Sequence, residues 1–164
     1  MTPEQFQHLE KHGACVDLSA RAKWRLSGVD AVRYLNGQVT NDVRKATAHE
    51  AIYACVTNAK GKIEGDVFIH VSPDGGALLL DAEPSLREPL AARLERYIVA
   101  DDVELKDASD EWGLLHFSGA ATQEFEAWGR GYEGIFHVVK ASRFGMCGFD
   151  VWTPRKAEGG MWKG

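Results

Sequence analysis

Residues 51–57 and 62–71 largely alternate between apolar and polar side chains, with the turn-forming run Asn58-Ala59-Lys60-Gly61 between them. Period-2 alternation on both sides of such a run predicts an antiparallel β-hairpin. A four-residue turn sets Thr57 opposite Lys62 and therefore Tyr53 opposite Asp66. Tyr53, Cys55, Glu64, Asp66 and Phe68 then share one face, while Ala54, Val56, Ile63, Val67 and Ile69 point to the core. A carboxylate among rings on a rigid sheet suits a flat nitrogen heterocycle. The same alternation equally describes an ordinary wet face. Asp66 acts as an anchor only where other elements cover it and its charge works in a poorly hydrated site.

Around this hairpin the chain punctuates clearly. Residues 23–26 form a strand, and Ser27-Gly28 open a helix carrying Val29, Val32, Tyr34 and Leu35 that ends at Asn36-Gly37. Residues 37–49 are a polar loop, in which Asn41 and Asp42 either line a ligand mouth or bond their own backbone. The run Ser72-Pro73-Asp74-Gly75-Gly76 turns the chain into a third strand over 77–81. Leu86, Leu90, Leu94, Tyr97 and Ile98 mark an amphipathic helix whose regular part starts at Pro89, and residues 102–105 return as a strand. Glu111-Trp112 opens a second unit, with a strand over 113–117, a helix over 120–128 and strands over 135–140 and 149–152. A short helix over 2–12 precedes all of this. Hairpins outnumber crossovers, so the class is α+β. The expected division is 1–108, a partial β-α-β-β unit over 109–153, and a flexible Gly- and Lys-rich tail over 154–164.

Composition excludes several classes. The formal charge of −5, with scattered Lys and Arg, argues against direct nucleic-acid binding. No apolar run approaches the ~20 residues of a membrane span, and the N-terminus has no leader character. Cys15, Cys55 and Cys147 are odd in number and lack C-x-x-C spacing, which suits a reducing, cytoplasmic setting and no zinc site. His8 and His12 share a helical spacing but lack a third metal ligand. Gly129-Arg130-Gly131-Tyr132-Glu133-Gly134 matches G-x-G-x-x-G but follows a helix and precedes a strand, the reverse of a dinucleotide site. Trp112, Trp128 and Trp152 read as core or edge aromatics.

Several short motifs occur in a fixed order: Leu26-Ser27-Gly28-Val29-Asp30-Ala31, Tyr34-Leu35-Asn36-Gly37-Gln38-Val39-Thr40-Asn41-Asp42, Ala59-Lys60-Gly61-Lys62, Leu94-Glu95-Arg96-Tyr97-Ile98-Val99, Asp101-Asp102-Val103 and Arg143-Phe144-Gly145. In order and spacing this string resembles the folate-binding YgfZ proteins, relatives of the glycine-cleavage T protein (aminomethyltransferase). The likeness runs from about residue 18 to 152. The K-G-C-x-x-G-Q-E motif of the YgfZ branch does not occur here.

The resemblance implies an antiparallel-sheet folate-binding domain followed by the start of a ferredoxin-like unit. It implies tetrahydrofolate or a one-carbon derivative as the ligand. It puts Asp66 at the acid beside the nitrogen that accepts the one-carbon unit, Tyr53 at the tyrosine next to it, and His70 at a further aromatic position. Phe68 and Asn41 join these as cofactor-binding candidates, and Arg96 could reach the folate's glutamate tail. In a transferase, Asp66 would orient the folate and stabilise charge as the aminomethyl group leaves its lipoyl carrier. Three readings follow: a folate-binding protein supporting iron–sulfur proteins or tRNA modification, a one-carbon transfer enzyme that needs further domains, and a non-catalytic assembly module. The unfinished second sheet suggests self-association or a partner that supplies its missing elements.

Overall fold

The strand-forming segments assemble into two antiparallel sheets. The computed structural model describes residues 2, 4, 7, 11–119, 122 and 136–155. In chain order its strands are β1 (Ala14–Asp17), β2 (Ala22–Ser27), β3 (Ile52–Thr57), β4 (Ile63–Val71), β5 (Ala77–Ala82), β6 (Glu104–Asp107), β7 (Trp112–Ser118), β8 (His137–Arg143) and β9 (Met146–Pro154). Among the described residues the helices with full bounds are α1 (Ala31–Asn36) and α2 (Arg87–Glu95), with 3-10 turns at Val43–Lys45 and Pro84–Leu86; Glu4, Gln7, Lys11 and His12, within the helix expected over 2–12, are helical as well. One sheet has the order β3-β4-β5-β2-β6 and the other β1-β7-β9-β8, with every ladder antiparallel.

The five-stranded sheet is covered on both faces. Toward the helices it buries Trp24, Leu26, Val56, Val67, Ile69 and Leu80 against Leu35 of α1 and Leu90 and Leu94 of α2. On its other face, Leu79 packs with Leu114, Val139 and Trp152 of the second sheet. All six residues of β5 are therefore buried, and its sequence reads as an apolar run rather than an alternation.

Both helices depart from their expected bounds. The chain enters α1 only at Ala31, with Ala31, Tyr34 and Leu35 inward. Val29 precedes the helix and is 87% exposed, and Val32 lies on the outer side. Gly28 explains the late start. Its φ is +114°, and a Cβ there would run into the Asp102 carbonyl, so residue 28 belongs to a tight approach and not to the helix. Helix α2 begins at Arg87, two residues before Pro89; a proline in the first turn is tolerated because no intrahelical donor is needed there.

The hairpin register also differs. Thr57 pairs with Ile63, leaving a five-residue loop, and a bulge at Val56/Thr57 adds one more residue to the return arm. Tyr53 consequently lies opposite Phe68, and Asp66 opposite Cys55. The total displacement at Tyr53 is two residues, an even number, so Tyr53, Cys55, Asp66 and Phe68 keep a common face. Between loop and bulge the displacement is odd. There Ile63 is turned outward at 60% exposure, and Glu64 is drawn to Arg93 of α2 at 2.9 Å.

The second sheet takes its edge strand from near the N-terminus. Strand β1 pairs with β7, from Ala14↔Ser118 to Asp17↔Leu115. A boundary between residues 108 and 109 separates β1 from the sheet it completes. Strands β8 and β9 run longer than expected and meet in a two-residue turn at Phe144-Gly145, with Arg143 paired to Met146. Of the helix expected over 120–128 only Thr122, which is helical, is among the described residues; the Gly129–Gly134 run, His8, Trp128 and the tail from 156 lie outside them.

Candidate functional site

A cavity of about 330 Å³ opens where the hairpin of the first sheet faces the β8–β9 turn of the second. Strand β3 contributes Tyr53, and β4 contributes Asp66 and Phe68. Across from them stand Ser142, Arg143 and Phe144, while Leu18, Arg21 and Glu83 close the sides. The Tyr53 and Phe68 rings lie 5.2 Å apart at 58°. Partial burial and then the Asp66 charge push the Tyr53 hydroxyl above its ordinary pKa, so it stays protonated and can donate.

Beneath the cavity runs a buried ion network. The Arg143 guanidinium donates to both Asp81 oxygens at 3.1 and 2.7 Å and to Asp150 at 2.6–3.0 Å, and it lies 3.8 Å over the Phe68 ring. Asp81 also accepts from Arg21 Nε at 2.5 Å, and Arg21 reaches Glu83 with its other arm. His116 Nδ1 lies 2.8 Å from Asp150. Burial alone would raise the Asp81 carboxyl, but Arg143 and Arg21 overcome this and hold it below the usual carboxylate range. Arg143 is correspondingly raised; its burial would lower it, and Asp81 and Asp150 more than offset that.

The network decides which charge the cavity offers. Both arginines in the wall are engaged by carboxylates. Asp66, by contrast, has no arginine or lysine within ion-pair distance among the described residues. An ionised carboxylate is an acceptor with about four lone-pair sites and no donor. A partner must therefore bring N–H or O–H groups, and the rings beside Asp66 favour a flat one. A second, smaller cavity of about 80 Å³ shares Tyr53, Phe68 and Ser142 with the first and is bounded by Glu50 and Lys140.

Four expected site residues lie elsewhere. His70 does not line the cavity; it is buried with its ring 4.8 Å from Trp152 and 5.1 Å from His137. Burial first, and His137 second, drive its pKa down to about 3. Asn41 donates from Nδ2 to the Tyr53 carbonyl at 2.9 Å, fixing the backbone of β3. Asp42 accepts from the Arg44 backbone N–H at 3.1 Å and caps the 3-10 turn. Arg96 caps α2, which packs on the opposite face of the sheet, so it cannot serve this cavity.

Arg21, Glu83 and Ser142 carry no local signal in the sequence. Arg143 and Phe144 belong to a motif shared with the YgfZ string, which marks them without saying what they touch. Among the described residues no group of three His, Cys, Asp or Glu side chains could hold a metal ion, and no helix is long and apolar enough to cross a membrane.

Comparison with known proteins gives the family and the fold. The GCVT N-terminal domain family matches residues 2–126. The tRNA-modifying protein YgfZ of Escherichia coli O157:H7 is 35% identical over 94 residues, which is 57% of this chain and 28% of that protein. An iron-sulfur cluster assembly factor IBA57 homolog, mitochondrial, from Pyricularia oryzae is 29% identical over 84% of this chain and 35% of that protein. The aminomethyltransferase of Thermotoga maritima is 26% identical over 74% of this chain and 33% of its own length. The chain thus spans about a third of the relatives it matches. In fold it is similar to the glycine cleavage system aminomethyltransferase T from Bartonella henselae, with a TM-score of 0.71 at 18% identity over 92% of this chain and 44% of that one.

Proposed function

Since the chain belongs to the GCVT N-terminal domain family, we propose that its inter-sheet cavity binds tetrahydrofolate or a one-carbon derivative. The observation that carries this reading is Asp66, a carboxylate without a cationic partner among the described residues, sharing one cavity with the Tyr53 and Phe68 rings. A reduced pterin is flat and presents adjacent N–H donors along one edge, which is the complement of a carboxylate beside aromatic faces. The cavity volume lies at the small end of ligand sites, enough for the bicyclic head with the rest of the molecule running outward. The second cavity, past the Tyr53–Phe68 pair, offers that exit.

Asp66 accepts from the heterocycle and fixes its rotation. The protonated Tyr53 hydroxyl hydrogen-bonds to Asp66 and orients that carboxylate toward the ligand. Arg143 stays engaged by Asp81 and Asp150 and holds Phe68 in place under its guanidinium. Bound folate supplies a one-carbon acceptor or donor. We extend the reading to folate-linked support of iron–sulfur proteins or tRNA modification, since the relatives include proteins named for tRNA modification and for iron-sulfur cluster assembly; the cysteine pattern suits a cytoplasmic setting for that role. We also take the four-stranded sheet as the start of a ferredoxin-like unit.

Isothermal calorimetry with tetrahydrofolate tests the anchor. Asp66→Asn removes a charged acceptor and introduces a donor, so it should weaken binding by about ten- to a hundredfold, from hydrogen bonds to a charged group. Equal affinity of the native and Asp66→Asn proteins would refute the assignment.

A further inference from the structure

We infer that Phe144 is a third aromatic wall of the cavity, stacking on the planar part of the ligand, and that the β8–β9 turn holds a strained backbone to keep it there. The inference rests on the reading of the cavity as a folate site and adds a contact residue to it.

The turn joining β8 and β9 has two central residues, both with positive φ: Phe144 at 57° and Gly145 at 77°. Positive φ at both positions is the signature of a type I′ turn, which selects Asn-Gly or Asp-Gly because short polar residues and glycine enter the left-handed region most readily. Gly145 fits that preference. Phe144 does not, and it is the only non-glycine residue with positive φ among the described residues. A bulky side chain there is an outlier, and such outliers persist where something else over-determines them.

Its surroundings show what it could serve. One side of its ring meets His116, edge to face, with centroids 5.8 Å apart. The rest is 62% exposed, at the cavity wall facing Tyr53, Asp66 and Phe68. An exposed phenyl ring at the tip of a hairpin adds little to folding, since most of its surface stays in water. Covering it with a flat ligand would remove that surface from water. His116, itself pinned by Asp150, braces the ring from behind.

Phe144→Asn separates the two roles because it should move stability and affinity in opposite directions. Asparagine suits the left-handed position, so the melting midpoint should hold or rise. Loss of an aromatic stacking partner should weaken tetrahydrofolate binding by about tenfold. Phe144→Tyr keeps the ring and should bind as the native chain does.

Three results would overturn the inference. One is Phe144→Asn binding at native affinity while Asp66→Asn loses it, which removes the ring contact and leaves the folate site standing. Another is a melting midpoint lowered by more than about 4 °C in Phe144→Asn, which makes the phenyl ring a structural element. The last is a native chain that binds no tetrahydrofolate, which removes the site and the ring contact together.

Discussion

Asp81 has no exposed surface, yet it carries a charge, because Arg143 and Arg21 approach it from two sides. Removing the carboxylate strands both guanidinium groups. Asp81→Ala should therefore destabilise the protein by about 3–5 kcal/mol, read by urea or thermal unfolding, whereas breaking an exposed pair such as Arg33–Asp101 should change little. His70 predicts a pH dependence. Its folded pKa is lowered from 6.5 to about 3, so between those values the unfolded chain takes up a proton that the folded chain refuses. Stability should fall as pH drops from 6.5 toward 3. His70→Phe keeps a flat ring against Trp152 and should flatten the dependence of the urea midpoint over that window; an unchanged slope would place the effect on other groups. His70 also shows why residue-level reading fails. Alternation puts it on the same face as Asp66 and Phe68, correctly, but nothing in a strand says where along its length a cavity ends and a packed interface begins. Arg143 shows the converse, since its partners Asp81 and Asp150 come from different sheets.

At the scale of elements, the face of the hairpin was legible beyond the bulge, whereas its pairing, and the sides of Ile63 and Glu64 before the bulge, were not. Which side a residue occupies depends on its parity along its own strand, so Tyr53, Asp66 and Phe68 were placed together despite a two-residue slip. Pairing depends on loop length and on a bulge at Val56/Thr57, and neither has a composition signal. Strand β1 went unseen because four residues, Ala14–Asp17, are too few to show a period. The β7–β9 ladder supplies the prediction at this scale. A Cβ at Gly148 would collide with the Phe117 carbonyl oxygen and the His116 ring, so the two strands can approach only over a bare Cα. Gly148→Ala should cost about 1–3 kcal/mol or more in thermal unfolding, because the obstruction is backbone and cannot swing away.

Across the whole molecule the two sheets are bound by Leu79 in its cluster with Leu114, Val139 and Trp152, and by Arg143, whose two carboxylates sit one on each sheet. Melting followed by far- and near-ultraviolet circular dichroism should give coincident midpoints, the mark of one cooperative unit. Leu79→Ala should lower both together, by about 2–5 kcal/mol of stability. Separate midpoints would show that the sheets fold independently. The placement of β1 has a consequence for synthesis. Ser19, just past that strand, exchanges a hydrogen bond with Leu114, 95 residues later. During synthesis β1 must wait for β7, whose residues emerge about a hundred positions after it, so the pairing of the earlier strand is timed by the later one.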